Sequence, residues 1–135
     1  MASVRDEVAN LAGRYCAAVL SGSPDDFGAC WAEDAEWIVP GGYTHAGRDR
    51  IVHVFTRARV PFRLCVQELL SGVVEPMGEG SGSARAVWQI RELQWRTDGS
   101  QTYLIGTYTD DCIRGDDGIW RFARREFVEV LRDTF

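Results

Sequence analysis

The chain has 135 residues, of which 45% are hydrophobic and 26% charged, the make-up of a single domain large enough to hold both a core and a pocket. Its formal net charge is −5, and its arginines are scattered among acids with no basic run, which argues against a nucleic-acid backbone or an anionic membrane surface as the main partner. The opening "MASVRDEVAN" carries acids where a secretory leader needs an apolar core, and no apolar stretch approaches the length of a membrane span, so a cytoplasmic location is expected.

In chain order, Val4, Val8, Leu11, Ala12, Tyr15, Ala18 and Val19 recur at helical spacing between Ser3, a suitable N-cap, and Gly22, just past the end. Ser23, Pro24 and two acids then open a short second helix in "SPDDFGACW", where the helix dipole favours the negative charges. "AEWIVP" predicts a brief strand closed by Pro40 and Gly41-Gly42, and "GRDRIVHVFTRAR" predicts a third helix with Ile51, Val54, Phe55 and Ala58 on one side. From about Arg63 the period becomes two. "RLCVQELLSGVVE", "ARAVWQIRELQWR", "YLIGTYTDDCIR" and "IWRFARREFVEV" read as four long strands, separated by "MGEGSGS" and by turns at Asp98-Gly99 and Asp117-Gly118. Long strands in succession imply an antiparallel meander, with the helices grouped at the start of one α+β domain spanning 1–135, in the order α-α-β-α-β-β-β-β.

Cys16, Cys30, Cys65 and Cys112 lie in apolar segments with neither a CxxC nor a Cys/His ligand spacing, and read as reduced core thiols. With His45 and His53 as the two imidazoles, no metal site and no metal cofactor are expected. The acids of the fourth predicted strand are the unusual feature. Aspartate is depleted in strands, yet "GTYTDD" carries Asp110 and Asp111 side by side. Alternation groups one of them with Leu104, Tyr108 and Cys112 and the other with Ile105, Thr109 and Ile113, so one aspartate faces the covered side. It is either part of a site or a salt-bridge partner of Arg121, Arg124 or Arg125 on the neighbouring strand.

The element order, together with "RYCAAVLSGSPDDFGACWAEDAEWIVPGGYTHAGRDRIVHVF" and the pairing of "GTYTDD" with "WRFARREF", resembles the SnoaL-like branch of the nuclear transport factor 2-like superfamily. That superfamily includes steroid isomerases, scytalone dehydratases and polyketide cyclases. The resemblance implies a strongly bent sheet wrapping three helices into a cone, whose open end holds an apolar ligand without a cofactor. It also implies roles. Tyr15 falls where the isomerases carry an oxyanion-binding tyrosine, and Asp110 falls on their hydrogen-bond-donating acid if the last two strands pair without a gap; a one-residue slip selects Asp111. An acid of that kind stays protonated at neutral pH because its site is apolar.

The isomerases' general base matches Val39, which cannot move a proton. Glu92, on the same strand face as Trp88 by alternation, and Glu68 are the two carboxylates left for that role. In the scytalone dehydratases the positions matching Trp88 and Glu68 look like pocket histidines, which this chain lacks. Trp37, Val39, Trp88, Tyr108 and Phe55 are the candidate ligand-facing residues.

The expected function is a cofactor-independent dehydratase, isomerase or cyclase that transfers a proton on a small, apolar, carbonyl-containing molecule of polyketide- or steroid-like kind. The alternatives are a non-catalytic binding module of the same fold, or an epoxide hydrolase built on Arg91, Glu92 and Asp110. Leu93, Trp95 and Ile105, on the uncovered face of a single sheet, predict a homodimer.

Overall fold

The computed structural model describes residues 2–78, 80 and 82–135, and these form three helices and one six-stranded sheet. Helix α1 (Val4–Ser21) starts where Ser3 Oγ accepts the Asp6 N–H, and buries Val8, Leu11, Ala12, Tyr15, Ala18 and Val19 along one stripe. Helix α2 (Pro24–Gly28) is capped in the same way, with Ser23 accepting from Asp26. Helix α3 (Arg48–Arg59) buries Ile51 and Phe55, and the Phe55 ring stacks on Phe27 at a centroid distance of 3.8 Å. None of these helices is long and apolar enough to cross a membrane.

The strands are β1 (Trp31–Val39), β2 (Tyr43–Ala46), β3 (Phe62–Pro76), β4 (Ser83–Arg96), β5 (Gln101–Arg114) and β6 (Trp120–Thr134), in the spatial order β2-β1-β6-β5-β4-β3. β3 to β6 form the expected antiparallel meander. Two features depart from the sequence expectation. β2, a four-residue strand, hairpins back on β1 with Val39 opposite Tyr43, so the order is α-α-β-β-α-β-β-β-β. It was invisible in sequence because its residues are mostly exposed and have no alternation; the pairing itself defines it. β1 also joins β6 in parallel, which attaches the β1–β2 hairpin to the last strand of the meander and makes one continuous sheet against the helices. Part of the "MGEGSGS" connector, Glu79 and Ser81, lies outside the described residues.

The bend comes from irregular pairing. Register shifts put an extra residue into β3 between Phe62 and Leu64 and between Leu69 and Ser71, and into β6 opposite Ile105/Gly106 and Asp111/Cys112, and each extra residue turns its strand. Two glycines let aromatic rings cross the backbone on the inside of the bend. A Cβ on Gly72 would lie 2.1 Å from the Trp88 ring, and one on Gly106 would lie 2.2 Å from the Phe127 ring.

Alternation sorts the sheet faces cleanly in the two central strands. Ala84, Ala86, Trp88, Ile90, Glu92 and Gln94 of β4, and Thr102, Leu104, Gly106, Tyr108, Asp110 and Cys112 of β5, are all buried. One end of this inner face is sealed by Trp31, Phe27, Phe122 and Trp120. The other end is open.

Candidate active site

The open end holds a cavity of about 380 Å³, within the range of small-molecule sites. α1 contributes Tyr15 and Val19, α3 contributes Phe55 and Arg59, and β1 contributes Trp37 and Val39. The sheet supplies Cys65, Gln67, Glu92, Gln94, Leu104, Tyr108, Phe127, Glu129 and Arg132. The walls are mostly apolar, and two glutamines converge on one of the two carboxylates that line them, the other, Glu129, being paired with Arg132.

The carboxylate on which the glutamines converge is Glu92. Gln67, directly opposite it on β3, donates from Nε2 to Glu92 Oε1 at 2.6 Å, and also to Tyr108 Oη at 2.8 Å. Gln94, two residues along β4 and therefore on the same face, donates to Glu92 Oε2 at 2.5 Å, and is itself held by Arg96 at 2.9 Å. Tyr108 Oη reaches Tyr15 Oη at 3.4 Å, which leaves the Tyr15 hydrogen for an acceptor in the cavity. Burial pushes both phenols well up from their usual range. Their mutual interaction adds to this for Tyr15, and the Arg125 cation opposes it in both. Both are therefore neutral O–H groups at physiological pH, able to donate.

Asp110 is the inward member of its pair, 1% exposed, while Asp111 lies on the outer face in a half-exposed bridge to Arg85. Asp110 does not stand alone among apolar neighbours. Arg125 sits directly opposite it on β6 and donates from Nε to Oδ1 at 2.8 Å, with both side chains fully buried. Burial pushes the Asp110 carboxyl up to about 6, with Arg125 pulling it down. The expectation of an acid kept protonated at neutral pH thus gives way to a buried ion pair, because the last two strands present an arginine at the matching register. Asp110 lies beyond Tyr108 along β5 and does not line the cavity.

The sign of the resulting pH effect follows from the raised value. A carboxyl that holds its proton more tightly in the folded chain adds stability as pH falls through about 6 towards the unfolded value near 4. Wild type is expected to gain stability relative to Asp110→Asn between pH 7.5 and 4.5, read as diverging urea midpoints. The depressed carboxyls of Glu68, Asp98 and Asp117 are common to both proteins and cancel. Wild type losing ground instead would mean that the arginine's pull outweighs burial.

The structure brings Tyr15, Glu92, Trp37, Val39, Phe55 and Tyr108 together around the cavity. It does not bring in Trp88, which is buried over Gly72 behind the wall, nor Glu68, which is exposed on the outer face and forked to Arg91 at 3.0 and 2.7 Å. Alternation along β3 could not assign the side of Glu68, because two register shifts interrupt the strand. Gln67 and Gln94 were missed. Gln94 shares the even-numbered face of β4 with Glu92, which is a signal legible in the sequence; Gln67 offers none. Among the described residues, no group of three or more His, Cys, Asp or Glu is placed to hold a metal ion.

A family model for the SnoaL-like domain matches residues 1–126. Among solved structures, a hexachlorocyclohexane dehydrochlorinase, LinA type 2, superposes with a TM-score of 0.87 at 15% identity over 97% of this chain and 88% of that one. A putative scytalone dehydratase from Novosphingobium aromaticivorans gives 0.88 at 19% identity, over 96% and 85%. An uncharacterized protein with a cystatin-like fold from Caulobacter vibrioides gives 0.80 at 25% identity, over 94% and 89%. The first two likenesses, at such identities, are likenesses of fold. No curated protein matches the chain significantly.

Proposed function

The chain belongs to the SnoaL-like domain family, and from that premise and the cavity chemistry we propose that it is a cofactor-independent enzyme of lyase or isomerase type. It moves a proton on a small, largely apolar carbonyl compound of polyketide- or steroid-like kind, in a dehydration, isomerisation or cyclisation. The observation that carries this reading is Glu92, a carboxylate on an otherwise mostly apolar cavity wall, joined through Gln67 to the phenol pair Tyr108–Tyr15.

In this reading a Glu92 oxygen removes a proton from the carbon next to the substrate carbonyl, and the C–H electrons move to the carbonyl oxygen. Tyr15, supported by Tyr108, donates a hydrogen bond to the developing oxyanion. In isomerisation the proton on Glu92 returns to a different carbon. In dehydration it goes to the departing β-hydroxyl, which leaves as water with the C–O electrons. Gln67 and Gln94 hold the carboxylate in one orientation throughout, and Trp37, Phe55 and Val39 form apolar wall. Arg91 faces outward with Glu68, so this reading does not use it as the epoxide hydrolase alternative requires.

The test is hydrogen exchange. A panel of small cyclic ketones is incubated with the protein in D2O and followed by proton NMR. Deuteration of the α-carbon faster than in buffer is the expected result. Ketones that bind without exchange would instead support the second reading, a binding module, which Val39 favours by standing where the isomerases carry their base.

The reading includes a homodimer formed through the outer sheet face. Leu93, Trp95 and Ile105 are only half-buried there, and Val128 and Val130 of β6 are exposed. An isologous partner would cover such a surface. Light scattering at micromolar concentration is expected to return twice the chain mass, and a monomer mass would count against it. A cytoplasmic location also belongs to this reading, and suits the free thiols of Cys16, Cys30, Cys65 and Cys112.

A further inference from the structure

Arg125 is the most enclosed cation of the chain, 1% exposed. Its guanidinium carbon lies 3.5 Å from the ring centre of Tyr108, 4.1 Å from that of Phe122 and 4.2 Å from that of Tyr15. Nη1 has no hydrogen-bond partner among the described residues, and the same is true of Asp110 Oδ2. A buried pair is costly unless its geometry is excellent, and one hydrogen bond with two unmatched polar atoms is not that. Well-packed apolar residues would serve stability as well. The arrangement is better explained by where its charge lies.

The pair is polarised. Its negative end faces away from the cavity, towards Trp88 and Cys112, while its positive end is wedged under the two rings whose hydroxyls line the cavity. A cation against the face of a phenol withdraws charge from the ring, favouring the form of the group with more negative oxygen. We propose that Arg125 is a positioning residue for the oxyanion donors: its guanidinium, held by Asp110 beneath Tyr15 and Tyr108, strengthens both O–H groups as donors to negative charge in the cavity. The proposal rests on the reading of those phenols as oxyanion donors. It is consistent with the electrostatics of both hydroxyls, for which burial dominates, Arg125 opposes it, and the Glu92 carboxylate works with burial. The charged groups facing the two rings are therefore Arg125 from β6 and Glu92 from β4, with the Cys16 thiol beside them on α1.

The two members of the pair can be separated by sign. If the pair is only structural, Asp110→Asn and Arg125→Met break the same contact and act alike. If it sets the field at the phenols, they act in opposite directions. The chain has four tyrosines, so the protein made with 2,3,5-trifluorotyrosine, a far more acidic phenol that brings the raised ionisations back into the range in which the chain stays folded, gives a resolvable fluorine NMR spectrum, assigned by single Tyr→Phe variants and titrated with base. Arg125→Met is expected to move ionisation of Tyr15 and Tyr108 to higher pH by about one unit or more, as for removal of a charge at this distance. Asp110→Asn, which leaves the cation without its counter-charge, is expected to move both to lower pH. Arg125→Lys should restore part of the wild-type position, and Tyr43 and Tyr103, outside the cluster, should stay put.

Should Arg125→Met fail to fold, the near-isosteric Asp110→Asn decides alone. Ionisation unchanged or shifted upward in that variant overturns the proposal. The readout needs no ligand, so it is independent of catalysis. Tyrosine shifts of the expected sign in a protein that fails to exchange ketone hydrogens would remove the catalytic reading and leave the field of Arg125 established.

Discussion

Glu92→Gln is expected to slow α-hydrogen exchange by about 10²- to 10⁴-fold, the usual contribution of a positioned general base. Glutamine has nearly the same shape, so the cavity stays the same size and ketone binding should survive. One of its two head-group positions becomes an N–H₂ that faces the amide of Gln67 or Gln94, and that neighbour must turn over. The stability cost should be about 1 kcal/mol, the scale of one hydrogen bond. The combination is diagnostic: a large loss of rate, a small loss of stability and unchanged binding identify a base rather than a wall residue. Asp111→Ala is the matched control. It removes a carboxylate from an outer-face bridge to Arg85, where an exposed pair contributes about 0–1 kcal/mol, and should leave exchange unchanged. Wild-type exchange in Glu92→Gln would move the search to Glu129, the other carboxylate on the cavity wall, which is paired with Arg132.

The largest expected effect on stability belongs to Asp110→Ala. It strips the counter-charge from a fully buried arginine and leaves a void in its place. Breaking such a pair from one side typically costs about 3–5 kcal/mol, set against which is the relief of no longer burying a carboxylate whose proton affinity burial has raised. That cost is a large share of the roughly 5–15 kcal/mol that holds a domain together. The cost falls on the remaining cation, so it should be largely recovered in the double variant Asp110→Ala/Arg125→Met, where no charge stays behind. Urea denaturation of the two single variants and the double variant measures this. Equal losses in Asp110→Ala and in the double variant would show that lost packing, and not the stranded cation, is responsible. The same comparison bears on turnover, since activity per folded molecule in Asp110→Ala separates loss of fold from loss of field at Tyr15 and Tyr108.

Where a strand runs unbroken, its side chains could be assigned from the sequence. β4 and β5 pair residue for residue from Ser83 opposite Ile113 to Trp95 opposite Gln101, and along them parity decides burial. That put Asp110 inward and Asp111 outward, and set Glu92 on the same face as Trp88. β3 was different. Its register shifts at Phe62/Leu64 and Leu69/Ser71 break parity, and Glu68, a candidate for the site, proved to be on the outside while its neighbour Gln67 faces Glu92. A bulge is an agreement between two strands, and neither strand's sequence records it by itself.

The sequence by itself determined the helix caps at Ser3 and Ser23, the apolar stripe of α1, the four-strand meander and the family resemblance. Each of these depends on the order of residues within one segment, through backbone preference or the repeat of burial. Tertiary structure alone decided that Asp110 meets Arg125 in a buried pair, that Arg125 lies under two cavity phenols, and that Gln67 and Gln94 gather on Glu92. These outcomes depend on which residue of one strand stands opposite which residue of another. The ionisation of a buried group follows from the charges within a few ångströms of it, and those come from segments far apart in the chain.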